Sequence, residues 1–130
     1  EWVGDAVVER SNRIHQRLWG AATPAQRQQL AALPMWLTAS VGDFMLGIVH
    51  GEAQSLAGWG VAQEHLGQAS GREQVRHWFE LAEVDAFACS HTCLPVFQGI
   101  RRRAQPGLGW VFNNGAAGMP NFSGRRAGVG

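Results

Sequence analysis

The amino-terminal part of the chain carries the hydrophobic spacing of helices. Apolar residues that recur at i, i+7 and i+11 share one helical face and predict a helix over residues 5 to about 19. Thr23 follows as a candidate N-cap, with Pro at the first helical position and Gln26 three residues after the cap. This predicts a second, short helix that runs through Leu33. The recurring apolar residues of the first pattern are Val7, Ile14 and Leu18.

The next segment changes to the pattern of strands. Residues 35–41 and 44–49 are apolar runs on either side of Gly42-Asp43, a two-residue connection typical of a β-hairpin. We therefore expect two adjacent antiparallel strands. Residues 55–66 then show a weaker helical pattern, since two glycines lower its helix propensity.

The remainder predicts one more helix and two more strands. Ser70 and Glu73 have the spacing of a capping box and predict a helix start. Strands follow at residues 84–89 and 110–113, with the arginine run at residues 101–103 in a solvated loop between them. The predicted helix has an apolar face formed by Val75, Trp78, Phe79 and Ala82. The predicted order α, α, β, β, α, α, β, β indicates the α/β class, as layers with a mixed sheet and hairpin-paired strands.

Composition narrows the class of protein. The chain has 130 residues, 45% of them hydrophobic and 16% charged, which is typical of one folded domain or part of one. A net charge of +1 argues against nucleic acid or an anionic membrane as a general partner. No apolar stretch approaches the ~18 residues that span a bilayer, and no signal-peptide pattern is present. We expect a cytoplasmic protein with no membrane partner.

Two histidines carry the candidate chemistry. His50 and His91 each stand where an apolar run ends and a turn of small residues begins. The carboxyl ends of strands in an α/β sheet are where ligands usually bind, so we expect the two imidazoles to share one site at the sheet edge. Imidazole there binds a metal or exchanges a proton. The plainer alternative is that each is a hydrogen-bonded residue at the rim of the core.

Two cysteines flank the second histidine. Cys89 and Cys93 lie four residues apart around His91, and a strand followed by a turn does not easily bring them into disulfide geometry. Free thiols in a reducing compartment are the expectation. Three residues, His50, His91 and Cys93, would supply three nitrogen or sulfur ligands. Three ligands are enough for one ion with an open coordination position, but not for a centre of two bridged ions.

At this point the residues resemble a known family. The segments Ile48-Val49-His50-Gly51-Glu52, Ser90-His91-Thr92-Cys93 and Asn113-Asn114-Gly115 are similar to the last three landmarks of the calcineurin-like metallophosphoesterases, in a bacterial subgroup. That family has an α/β/β/α sandwich with a two-metal centre at the strand ends. Its motifs, in order, are Asp-x-His, Gly-Asp-x-x-Asp, Gly-Asn-His-Asp/Glu, a lone His, and Gly-His-x-His.

The resemblance implies a role for each matching residue. His50 corresponds to the lone His and His91 to the first His of Gly-His-x-His, so both would bind the same metal. Cys93 stands where the family has its second His, which binds the other metal, and Ser90 replaces the Gly. The complete enzyme would hydrolyse phosphate mono- or diesters with two divalent transition ions, Mn, Fe, Zn or Ni.

The first three motifs of the family are absent from this sequence. The resemblance therefore implies that residues 1–130 are the C-terminal half of a single phosphoesterase domain, a fragment that is inactive alone and holds at most half of the metal centre. An alternative is a non-catalytic zinc-binding or interaction domain that uses His50, His91 and Cys93 as one site. A further expectation is self-association, because half of a sandwich exposes strand edges and an apolar sheet face.

Overall fold

The chain divides after Pro34 into two units. A computed structural model describes residues 4–92 and 94–115. Among these residues, no helix is both long and apolar enough to cross a membrane. Each unit is a separate piece of structure with its own pattern of hydrogen bonds.

The first unit contains the two predicted helices, α1 (Asp5–Ala21) and α2 (Pro24–Ala31). The capping box at the start of α2 is confirmed: the Gln26 backbone N–H donates to the Thr23 hydroxyl (3.3 Å), and the Thr23 N–H donates to Gln26 Oε1 (2.8 Å). The helix ends two residues earlier than predicted. Neither helix contains a buried residue.

The second unit is a five-stranded sheet with two helices. Its elements in chain order are β1 (Trp36–Val41), β2 (Phe44–Val49), α3 (Gln63–Leu66), α4 (Ala69–Ala82), β3 (Ala86–Cys89), β4 (Pro95–Arg101) and β5 (Leu108–Asn114). The strand order across the sheet is β1-β2-β3-β5-β4. The α/β class predicted from the sequence is thereby confirmed.

The sheet has a parallel centre and antiparallel edges. β2, β3 and β5 run parallel, while β1 pairs with β2 and β4 pairs with β5 in the antiparallel sense. The predicted β1–β2 hairpin is confirmed, with Gly42 at φ +61° in its two-residue turn. Because the central strands are parallel, their carboxyl ends meet at one edge of the sheet.

One face of the sheet, called here the inner face, is covered by α4. Val75, Trp78 and Phe79 of that helix are buried against the inner face in a core that includes Phe87 and Val111. The Phe79 and Phe87 rings stack with centroids 5.2 Å apart. Ala82, placed on this apolar face by the sequence, is exposed instead, because α4 ends there and the chain turns away.

The opposite face, called here the outer face, is apolar across all five strands. Pairing in register places its side chains on one side of the sheet, and Phe97 on the β4 edge is 73% exposed. The Phe97 ring stacks on Trp110 (4.8 Å between centroids) and on Phe112 (5.5 Å). The larger residues of the outer face are Leu37, Val41, Phe44, Leu46, Ile48, Phe97, Leu108, Trp110 and Phe112.

Two of the predicted helix features are wrong. Residues 55–66 are helical only over Gln63–Leu66, because Gly58 and Gly60 lie in a tight loop. The helix predicted to begin at a Ser70–Glu73 capping box begins at Ala69, and its N-cap makes no side-chain hydrogen bond.

The strand β4 was missed, and with it the setting of the arginine run. Arg101 ends β4, and Arg102 forms an ion pair with Asp85 (Nη1 to Oδ1, 2.6 Å) with only 14% of its side chain exposed. Arg103 pairs with Glu73 at 2.6 Å. The prediction of a solvated arginine loop is therefore wrong for Arg101, which lies in the strand, and for Arg102, which is part-buried.

Candidate histidine site at the carboxyl edge of the sheet

The site is assembled by the ends of two neighbouring parallel strands. His50 follows β2 directly, and His91 lies two residues after β3. The backbone N–H groups of Ser90 and His91 both donate to the carbonyl oxygen of His50, at 3.2 and 2.9 Å. These two bonds extend the β2–β3 pairing beyond the strands and bring the histidine backbones side by side.

The two imidazoles are in direct contact. His91 Nδ1 lies 3.2 Å from His50 Nε2, and the ring centroids are 5.0 Å apart with an interplanar angle of 65°. The structure thus brings together the two histidines that the sequence placed at one sheet edge. At this distance the two nitrogens share one proton as donor and acceptor, or they are two ligands of one ion.

A loop over residues 51–60, called here the 51–60 loop, contacts His91. The Trp59 indole meets the His91 imidazole edge to face, with centroids 5.4 Å apart. Burial lowers the pKa of His91 and the neighbouring His50 lowers it further, while a backbone hydrogen bond at Ala57 opposes them.

Glu52 was the acidic residue closest in sequence to the candidate site. Its carboxylate turns into the 51–60 loop, where Oε2 accepts a hydrogen bond from the Gly60 N–H at 2.7 Å. A Cβ added at Gly58 would lie 2.0 Å from the Glu52 Cδ, so the loop closes tightly around this side chain. Glu52 therefore has a defined place outside the histidine pair.

A polar contact that the sequence did not indicate supports the segment after His91. Thr92 and Asn113 are 2% and 3% exposed, and the Asn113 amide donates to the Thr92 hydroxyl at 2.7 Å. Asn113 Oδ1 accepts from the Gly115 N–H at 2.8 Å. The end of β5 is thereby tied to the residue next to His91.

The cysteines have different outcomes. Cys89 carries a free, buried thiol that lies 3.6 Å from the Phe112 carbonyl oxygen, and burial raises its pKa to about 11. It is therefore a core residue. Cys93, the third predicted ligand, lies outside the described residues, and its ligation stays a prediction.

The predicted metal centre is not assembled by the described residues alone. Across residues 4–92 and 94–115, no three His, Cys, Asp or Glu side chains are grouped so that they could hold an ion. The two histidines alone fit one ion, since two nitrogens bound to it at ~2.0–2.1 Å in tetrahedral geometry lie ~3.3–3.4 Å apart. The observed separation of 3.2 Å is close to that value.

No protein-family model, curated protein or solved structure matches this chain. The resemblance to metallophosphoesterases therefore rests on the segments around His50, His91 and Asn113. The geometry of those residues carries the functional argument.

Proposed function

We propose that this chain is the C-terminal half of a metal-dependent phosphoesterase that hydrolyses phosphate mono- or diesters. The observation that carries the proposal is the 3.2 Å approach of His50 Nε2 and His91 Nδ1 at the joined carboxyl ends of β2 and β3. A pair of nitrogens positioned by the ends of two rigid strands is well suited to hold a metal ion. The motif resemblance supplies the reaction class.

The chain's own residues hold and orient an ion in this proposal. His50 and His91 bind one of two divalent transition ions, and Cys93 is the candidate ligand of the other. The ions supply Lewis-acid charge and an activated water for attack on phosphorus. The bond from the His91 ring to the Ala57 backbone fixes the orientation of this ligand, as backbone acceptors do for histidines in metal sites.

We further propose that residues 1–130 do not hydrolyse phosphate esters alone. A centre of two ions ~3.5–4 Å apart needs bridging carboxylates. No cluster of three candidate ligands is formed within the described part of the chain. Those carboxylates belong to the Asp-x-His and Gly-Asp-x-x-Asp motifs of the resembled family, which this sequence lacks.

The deciding experiment is metal content by elemental analysis after exposure to Mn²⁺, Zn²⁺, Fe²⁺ or Ni²⁺. We expect about one equivalent bound by the wild type, lost in His91→Ala and kept in Cys93→Ala, because the two histidines hold this ion and Cys93 is a candidate ligand of the other. His77→Ala, which removes an exposed histidine of α4, is the matched control and should keep its metal. A wild-type chain without metal at micromolar concentrations would refute the proposal.

The alternative is a non-catalytic zinc domain that uses the same three residues. In this alternative the bound zinc stabilises the fold and takes part in no reaction. It predicts one tightly bound zinc per chain and a Tm that falls on chelation. The phosphoesterase proposal predicts instead that a longer polypeptide with the upstream motifs hydrolyses an activated phosphate diester. His91→Ala in that longer protein should abolish the activity.

The outer face supports the expected self-association. Apart from Arg101 at its edge, the residues that the register places there are uncharged, and Phe97, Val41 and Leu37 are each more than half exposed. Exposed apolar patches of this kind mark contact surfaces, and a second copy of this chain offers a matching face. Sedimentation should show concentration-dependent dimers that chelators leave intact and that Phe97→Ser weakens.

A further inference from the structure

The Glu52 carboxylate closes the 51–60 loop. Glu52 Oε2 accepts a hydrogen bond from the Gly60 N–H at 2.7 Å, and the backbone N–H of Glu52 donates to the Ser55 carbonyl oxygen at 3.0 Å. The loop has no room for side chains at its glycines: an added Cβ at Gly51 would lie 2.5 Å from the Leu56 carbonyl oxygen. A carboxylate that accepts a backbone N–H across eight residues fixes both ends of such a turn.

The same loop determines the surroundings of His91. Ala57 provides the backbone partner of the imidazole, and Trp59 places its indole edge to face with the ring at 5.4 Å. Both residues lie between Glu52 and Gly60, the two residues that the carboxylate joins. Opening the loop at that hydrogen bond therefore moves both contacts of the imidazole together.

Glu52 is not grouped with the two histidines as a third candidate ligand. The described residues form no cluster of three metal-binding side chains, although Glu52, His50 and His91 are all described. The Glu52 carboxylate instead lies against Gly58 and Gly60. Its position two residues after His50 thus places the carboxylate inside the loop.

We propose that Glu52 is a positioning residue for His91 and acts through the 51–60 loop. The carboxylate holds Ala57 and Trp59 against the imidazole, which fixes the ring with one nitrogen toward His50. The expected effect of Glu52 on metal affinity rests on the proposed function. Its effect on the orientation of the His91 ring does not. Partners that orient a ligating histidine typically change metal affinity ~10–100-fold when removed.

The first test uses the metal-free protein and NMR contacts between the Trp59 indole and the His91 imidazole. We expect these contacts in the wild type, their loss in Glu52→Ala, and their retention in Glu52→Gln, whose amide oxygen still accepts from Gly60. Glu80→Ala, an exposed acidic residue of α4, is the matched control and should keep them. Contacts that persist in Glu52→Ala would overturn the inference whether or not the chain binds metal.

The second test is Co²⁺ affinity, followed by the visible absorption of the bound ion. Glu52→Ala should bind at least about tenfold more weakly than the wild type, and Glu52→Gln within about threefold. An equal loss in both variants would identify the negative charge, and hence direct ligation, as the role of Glu52 and would overturn positioning. A wild type that binds no Co²⁺ refutes the proposed function and leaves the NMR test to decide this inference.

Gly58→Ala provides a second route if Glu52→Ala does not fold. The three atoms nearest to its new Cβ all belong to the Glu52 side chain, which is able to swing away without a change in the backbone. We expect this variant to fold and to lose the contacts between Trp59 and His91. Unchanged contacts in folded Gly58→Ala, with Glu52 displaced, would count against the inference.

Discussion

The two ends of β3 differ in how their polar groups are used. At the amino end, Asp85 accepts from the Met45 N–H (2.7 Å) and pairs with Arg102 (2.6 Å), and its carbonyl accepts from the Trp110 N–H (3.0 Å). At the carboxyl end, two imidazoles face each other with no carboxylate grouped with them among the described residues. One end holds a carboxylate paired with a guanidinium, and the other holds two imidazole rings in contact with each other.

The amino end of β3 thus has a structural role, and the carboxyl end holds the histidines of the proposed metal site. Hydrogen bonds and an ion pair hold the Asp85 carboxylate charged and lower its pKa. Substitutions at the two ends should therefore affect different quantities, stability at the amino end and metal affinity at the carboxyl end.

The largest expected effect is on metal binding at the carboxyl end. His50→Ala and His91→Ala should each lower Co²⁺ affinity at least about a hundredfold, about 2.8 kcal/mol, because each removes one of two nitrogen ligands. Calorimetric titration measures the affinity, and urea unfolding without metal measures stability. The stability change should stay below about 1 kcal/mol, since His50 is exposed and His91 is only part-buried.

A large loss of stability in both histidine variants without metal would contradict this division of roles. It would mean that the imidazole contact, like the network around Asp85, is part of the structural framework. His77→Ala gives the baseline for loss of a histidine from the surface of α4.

The next effect is on stability at the amino end. Asp85→Ala should lower the free energy of unfolding by about 2–3 kcal/mol, because it removes the ion-pair partner of the part-buried Arg102 guanidinium and the acceptor of the Met45 N–H. Asp85→Asn keeps an acceptor for the Met45 N–H and should lower the free energy of unfolding by less than Asp85→Ala does. Urea unfolding measures both, and Co²⁺ affinity should be unchanged. A loss below about 0.5 kcal/mol in Asp85→Ala would refute a structural role for this end.

The sequence predicted the features that depend on local pattern. The β1–β2 hairpin followed from two apolar runs around Gly42-Asp43, and the contact between His50 and His91 followed from their places at the ends of such runs. Parallel pairing of the two strands then brings the ends together. The α/β class could be predicted from the order of the helices and strands alone.

What the sequence did not reveal depends on distant partners. β4 begins with Pro95, contains Gly99 and lies at the sheet edge, where proline is tolerated but the strand signal is weak. The hydrogen bond between Asn113 and Thr92 joins residues that are 21 positions apart. Both are polar, so no hydrophobic pattern marks them as buried. Residues 55–60 of the 51–60 loop were included in the helical pattern predicted over residues 55–66, because the closure of the loop by Glu52 has no periodic signature.

A smaller effect on stability is expected at the support of the carboxyl end. Asn113→Ala leaves the Gly115 N–H without its acceptor and the Thr92 hydroxyl without its donor, both at buried residues. We expect a loss of about 1–2 kcal/mol in urea unfolding. Since Thr92 is adjacent to His91, Co²⁺ affinity should also fall a few-fold. Asn114→Ala, at an exposed neighbour, is the matched control. A stability equal to that of the control would show that this end needs no polar support.

The smallest effect is the pH dependence that Asp85 contributes. The Met45 N–H lowers the pKa of Asp85 most, and Arg102 lowers it further, against a smaller opposing effect of burial. A carboxyl group with a lowered folded pKa contributes stability that is fully present above its unfolded pKa of ~3.9 and is lost as the pH falls through the folded value. The free energy of unfolding of the wild type should thus exceed that of Asp85→Asn by a constant amount above pH ~5. The difference should shrink steadily below pH ~4, as urea unfolding between pH 2.5 and 7 would measure. A difference that is constant across this range would mean that the charge of Asp85 does not hold the amino end of β3, and the contrast between the two ends would then rest on hydrogen bonds alone.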